Sequence, residues 1–282
     1  MIIAYVVALG ASAVFLRYSG IGDPIWNMAG ADFIATVVIF LFSLWQRNSS
    51  IYDPYWSVYP IFIAFWWFFE VGDAGNTVRN FLVVALVLAW GIRLTYNWAR
   101  TWPGMIHQDW RYTKLAEDTG PFYWIVSFLG IHLFPTILVF GGCIPLYFIF
   151  QMPEPAGLVD LVAALVTGGA IYIEFTADNQ LLRFRMEKNS GKASGILESG
   201  LWGYSRHPNY FGEIMFWVGL FLFSLPVFLD GIYWIISGAI LMIILFVFIS
   251  IPMMEKRQMG KEGYAEYRKR VSALIPLPRK KS

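Results

Sequence analysis

The chain is 282 residues long, 57% hydrophobic and only 14% charged, with 24 phenylalanines, 13 tryptophans and a formal net charge of +2. A water-soluble domain is about one-quarter charged, so this composition excludes an ordinary globular or nucleic-acid-binding domain and points to a chain that lives in lipid. The one cysteine, Cys143, excludes an internal disulfide and any cysteine-built zinc site.

The opening run "MIIAYVVALGASAVFL" has no basic leader and no small-residue cleavage site, so it reads as a retained helix. Crossing a hydrocarbon core takes roughly 17–25 apolar residues. Runs of that kind fall near 2–18, 25–46, 55–71, 78–98, 121–150, 157–178, 208–224 and 228–251. The fifth carries Pro135 and Pro145 and is expected to kink or break there. The expected fold is all-α: a polytopic bundle of about eight transmembrane helices, forming one integral membrane domain over 1–282. With that count, the loops after even-numbered helices and the tail hold every basic residue except Arg17, Arg79 and Arg93. Both termini are then cytoplasmic. The last residues, "RKKS", suit an anionic lipid surface.

Polar chemistry gathers in four segments on that same side: "RLTYNWARTWPGMIHQDWRY" (93–112), "IEFTADNQLLRFRMEKNSGK" (173–192), "GLWGYSRHPNYFGE" (200–213) and "MMEKRQMGKEGYAEYRKRVSALIP" (253–276). Each continues an apolar helix, which suggests one composite site with an aqueous mouth. Arg93 lies one turn before Asn97 on the same helix face; it either snorkels to the interface or serves a site. Glu174 and Asp178 stand one turn apart and require facing cations or donors. Asp53-Pro54 reads equally as a helix start, with the carboxylate capping free amides, and as a catalytic acid. His132 reads as a hydrogen-bonded packing residue. No His/Asp/Glu cluster has metal spacing, and no G-x-G-x-x-G or phosphate loop is present. Any nucleotide must therefore be held by helix ends and loops.

In "SRHPNYFGE", Pro208 fits a first helical turn. Ser205, Arg206 and His207 then stand just before free amides that favour an anion. Gly212 permits close packing, and Glu213 lies within the first two turns.

This segment, followed by two hydrophobic runs and "EKRQMGKEGYAEYRKRVSALIP", resembles the C-terminal region of the steroid 5α-reductase superfamily. "FTADNQLLRFR" resembles the Asp-containing helix end that precedes it there, and "RLTYNWAR" with "DWRY" resembles the bacterial branch of uncharacterised members. The likeness runs from about residue 50 to the end; its specific part is 173–276, and residues 1–50 are generic. It implies an enzyme of the bacterial inner membrane that binds NADPH at its cytoplasmic side. Such an enzyme passes hydride to a conjugated carbon–carbon double bond of a lipophilic substrate drawn from the bilayer. The positions matching the family's nucleotide grip are Arg93, Asp178, Arg185, Asn209 and Glu213, with the segment from Glu255 to Tyr267 closing the site. Asn97, Arg111, Tyr204, Arg206, His207 and Tyr210 complete the candidate cofactor-binding set. Where the steroid reductases carry a glutamine–glutamate pair and a tyrosine, this chain has "YDPYWS" and Trp90. Asp53 stands for the acid and Tyr55 for the phenol, which leaves the acceptor open between a 3-keto-4-ene steroid and another enone lipid.

Two other readings remain. Arg-His-Pro-x-Tyr also occurs in membrane methyltransferases that hold S-adenosylmethionine, but that sulfonium cofactor asks for carboxylates and aromatic faces more than for arginines. A transporter or scaffold would carry inverted repeats with broken helices near the midplane, and the sequence has no matching halves.

Overall fold

A computed structural model describes residues 1–280; Lys281 and Ser282, the end of the "RKKS" tail, lie outside the described residues. The structure is all-helical, 78% helix, without a strand among the described residues. It divides into two compact units, Met1–Pro155 and Ala156–Ser282, where the sequence reads as one domain. The division falls in "MPEPAG", whose two prolines cannot continue either flanking helix.

Unit 1 holds α1 (Ile2–Tyr18), α2 (Pro24–Gln46), α3 (Tyr55–Val71), α4 (Thr77–Thr101) and the interrupted α5 (Trp110–Ile149). Local chemistry sets these limits. Pro24 opens α2 behind Asp23, whose carboxylate accepts the amides of Ile25 and Trp26, and Arg47 ends it in the left-handed region at φ 51°. Asn76 caps α4 through the Arg79 amide at 3.0 Å. Helix α1 packs on α2, α3 on α4, and α2 and α3 both on α5.

Unit 2 holds α6 (Leu158–Asn189), α7 (Pro208–Phe223), α8 (Tyr233–Gln258) and the short α9 (Tyr264–Arg270). Its central packing is α6 against α7. A methyl on Gly212 would sit 2.9 Å from the Ala170 carbonyl oxygen and against the Glu174 side chain, and one on Gly219 2.9 Å from the Thr167 amide nitrogen. Glycine at these two positions lets the backbones approach as small residues do between membrane helices.

Five helices, α2, α4, α5, α6 and α8, are long and apolar enough to cross a membrane. Helices α1 and α3, with 17 residues, and α7, with 16, sit at the lower limit for crossing. Large apolar side chains face outward, Leu165 at 67% exposure and Phe248 at 71%. A water-soluble protein does not display such a surface; lipid covers it here.

The expected break in the fifth helix is at Pro135, not Pro145. A π-helical stretch, Ser127–Leu133, ends just before Phe134-Pro135, whereas Pro145 sits inside regular helix. The same pattern recurs in α8, where the π-helical stretch Leu245–Ser250 precedes Ile251-Pro252. Proline lacks the N–H for the carbonyl one turn back and its ring pushes that carbonyl aside, so the preceding turn widens.

Candidate functional site

Unit 2 builds its polar site at the start of α7. Residues 204–206 are pinned by the tail: Arg206 N donates to Ser272 O at 2.8 Å, Ser205 Oγ to Leu274 O at 2.7 Å and Leu277 N to Tyr204 O at 3.0 Å. The Arg206 guanidinium then turns to the end of α8. Its Nε donates to Glu255 Oε1 at 2.8 Å and its Nη2 to Oε2 at 3.1 Å, while Nη1 donates to the carbonyls of Arg268 and Val271. His207 Nε2 lies 3.0 Å from Glu255 Oε1, the Tyr264 hydroxyl donates to it at 2.6 Å, and Arg268 Nε lies 3.2 Å from Oε2. A buried ion pair is tolerable when its remaining lone pairs and protons are satisfied, and here they are. Burial and the bond to Glu255 push the Tyr264 hydroxyl above its usual range. Arg206, His207 and Glu255, read from sequence as cofactor ligands, thus form a clasp between helix and tail.

Other cations face a cavity of about 290 Å³ bounded by the ends of α6 and α8, the start of α7, and α9. Arg185 and Lys188 line it from α6, Asn209 and Tyr210 from α7, and Gln258, Lys261 and Tyr264 from the C-terminal side, with Trp202 as a further aromatic wall. Tyr210 stacks on His207 at 5.3 Å and leans on Phe246 at 5.0 Å. Lys188 Nζ donates to Gly195 O at 2.7 Å. Among the described residues neither Arg185 nor Lys261 forms an ion pair. Burial lowers the Lys261 ammonium below its usual value, and the charges of Lys188, Arg257 and Arg185 lower it further. Positive charge has been gathered here on exposed side chains, with Asp178 the carboxylate acting on Arg185, and like charges so close favour a bound anion.

Of the residues expected in unit 2, the cavity brings together Arg185, Arg206, His207, Asn209 and Tyr210. Asp178 stands behind Asn209, with Oδ1 3.4 Å from its Nδ2. Glu213 is 5% exposed and accepts Trp217 Nε1 at 2.9 Å within α7. Tyr204 is exposed and stays outside the cavity lining. Lys188, Lys261, Trp202 and Gln258 were missed. For Lys188 the signal was present: it lies three residues after Arg185 in "RFRMEK", on the same helix face.

Unit 1 holds the other expected residues. Asp53 does not cap α3, whose first turn has no side-chain cap and follows Pro54. Its carboxylate instead accepts the Tyr112 hydroxyl at 2.7 Å. Burial pushes Asp53 up to about 6, against the opposing pull of Tyr112 and Arg111. Arg111 is held by Asp109 at 2.8 and 3.2 Å. Asn97 accepts both Nε and Nη2 of Arg100, at 3.1 and 2.8 Å. Arg93 is buried on α4, at 8% exposure, and so does not snorkel to the surface. Tyr55 lies between Tyr52 and Tyr59, at 5.3 and 5.0 Å, and its hydroxyl donates to Asp32 at 2.7 Å. Asp32, inside the apolar run of α2, was missed, although a carboxylate within a membrane helix is itself a site signal. His132 packs as expected, with Nδ1 3.0 Å from Ser127 O and Nε2 3.1 Å from Ser43 Oγ. No group of three or more metal-ligating side chains occurs among the described residues.

Against known proteins, residues 39–271 match the family model described as "Protein of unknown function (DUF1295)". A curated relative, "Uncharacterized protein C594.04c" of Schizosaccharomyces pombe, is 24% identical over 216 residues, covering 68% of this chain. The chain spans 62% of that relative's length. No solved structure matches. With most of its length under that one family model, the chain belongs to the DUF1295 family.

Proposed function

We propose that this chain is an NADPH-dependent membrane reductase acting on a conjugated double bond of a lipophilic substrate, similar to the steroid 5α-reductases. In this reading it crosses a bacterial inner membrane eight times with both termini in the cytoplasm. The observation that carries the proposal is the unit 2 cavity, which Arg185, Lys188 and Lys261 line together, with Asp178 acting on Arg185 from behind. Arginine binds phosphate in a planar, bidentate manner and lysine as a point charge. The two together suit the phosphates of a dinucleotide, and Trp202 and Tyr210 offer ring faces to its adenine. A volume of about 290 Å³ holds one end of such a molecule, being at the small end of ligand pockets. The sulfonium of S-adenosylmethionine would meet like charge on this wall, which disfavours the methyltransferase reading.

When bound, NADPH would supply a hydride. The chain's own residues would hold its phosphates at Arg185, Lys188 and Lys261, with Asn209 positioned by Asp178. Asp53, hydrogen-bonded to Tyr112, is the group proposed to hold the proton that a reduced double bond also takes up. Titration of the purified protein with NADPH and with S-adenosylmethionine tests the proposal. NADPH binding at micromolar concentration or tighter is expected; binding of S-adenosylmethionine alone would overturn it.

A further inference from the structure

Unit 1 contains a second polar assembly, of which the reductase reading uses only Tyr55. Asp32, on the third turn of α2, is 2% exposed. Its carboxyl accepts the Tyr55 hydroxyl at 2.7 Å, and no basic residue pairs with it among the described residues. An ionised carboxylate in such surroundings is expensive, and removing its charge by protonation is the common resolution. From Tyr55 a line of hydroxyls continues. Thr36 Oγ1 lies 3.4 Å from the Tyr55 hydroxyl, Thr136 Oγ1 lies 3.0 Å from Thr36, and the Tyr52 hydroxyl lies 2.9 Å from Thr136. All four of these residues are buried. Tyr52 adjoins the half-buried Asp53 in sequence.

We propose that Asp32 is an intramembrane proton-holding site, and that Tyr55, Thr36, Thr136 and Tyr52 form its path of proton exchange with the loop end of unit 1. The chemistry balances at every link. Each hydroxyl gives its proton to the next oxygen and takes one from the oxygen behind, so one proton moves while only O–H bonds break and form. Its source and sink is solvent water, reached at the Tyr52 end when the adjoining loop opens, since Tyr52 itself is buried. Thr136 Oγ1 also reaches the His132 carbonyl at 2.8 Å, which gives its hydroxyl a resting direction from which rotation closes the chain. A purely structural network is the competing account, since buried hydroxyls also fix helix register. Such a network would not need an ionisable group at its end.

Infrared difference spectroscopy on nucleotide-free protein reads the site independently of the NADPH proposal. At neutral pH, where Asp53 is mostly ionised, wild type minus Asp32→Asn should show the stretch of a protonated carboxyl, shifting on transfer to deuterated water. Tyr55→Phe should move that band upward in frequency by removing its hydrogen bond. Thr136→Val, which keeps side-chain volume, should slow the deuterium shift about tenfold or more by leaving the chain without its central hydroxyl. Absence of the Asp32 band would overturn the proton-holding site, and an unchanged exchange rate in Thr136→Val would overturn the path.

Discussion

The two units arrange their polar groups differently. Around α2 and α3, unit 1 gathers hydroxyls, phenols and one carboxyl that satisfy each other, as in Asp32–Tyr55 and Thr36–Thr136–Tyr52, while Arg79 and Arg93 stay buried on α4. Unit 2 keeps charge, and divides it. Around Glu255 the charges are matched donor for acceptor, while at Arg185, Lys188 and Lys261 they face a cavity. Matched charge joins segments of chain, whereas charge left facing space is a standing invitation to a ligand. The difference separates residues that look alike in sequence: Arg206 and Arg185 are both arginines of the polar side, yet only one has donors to spare.

The sharpest way to break this contrast is at the clasp. Removing Glu255 leaves Arg206 buried and unpaired, and losing one partner of such a pair costs about 3–5 kcal/mol. Glu255→Ala should therefore lower the melting temperature in detergent more than a substitution at the helix contact or in the cavity; a small shift would mean that the clasp is solvated. Next comes the close contact of α6 and α7. Gly212→Val places atoms against the Ala170 carbonyl and the Glu174 side chain, and overpacking of this kind costs about 1–3 kcal/mol, readable as a lower melting temperature.

The cavity should respond in the other sense. Lys261→Ala removes repulsion from Lys188, Arg257 and Arg185, so stability should hold or rise slightly; Arg185→Ala also loses the attraction of Asp178 and should leave stability nearly unchanged. Nucleotide affinity should fall about 10–100-fold for each, the scale of one charge-assisted hydrogen bond. A loss of both stability and affinity would place these residues with the clasp instead.

Asp53 gives the smallest effect on stability and the most specific one. Its folded value is raised from 3.8 to about 6, so the folded state binds the proton more tightly than the unfolded one. The stability this contributes is present below pH 3.8 and is lost as pH rises through about 6. Asp53→Asn should flatten that part of the melting-temperature profile. It should also abolish turnover while leaving nucleotide affinity nearly intact; a fall in affinity alone would remove Asp53 from its proposed role.

Helix positions were legible in the sequence because they follow from apolar run length and from proline, as the limits of α2 and α3 illustrate. The π-helical stretches before Pro135 and Pro252 were only half legible: the proline is visible, but which proline widens a turn depends on packing. The meeting of the tail with the start of α7 was anticipated from the resemblance. What each side chain does there was not, because the choice between clasping Glu255 and facing a ligand is made by contacts about 50 residues apart in sequence. Asp32 was overlooked for the opposite reason. Its neighbours in "AGADFIATVV" offer Thr36 as the one other polar side chain, and its partner Tyr55 lies 23 residues away.

The most direct measurement is an equilibrium titration with adenosine 2′,5′-bisphosphate, which carries the phosphates of the adenine end and lacks the nicotinamide. Unpaired cations in unit 2 predict binding to the wild type, weakened by added salt and largely lost in Lys261→Ala and Arg185→Ala. Equal affinity in wild type and both variants would contradict the account.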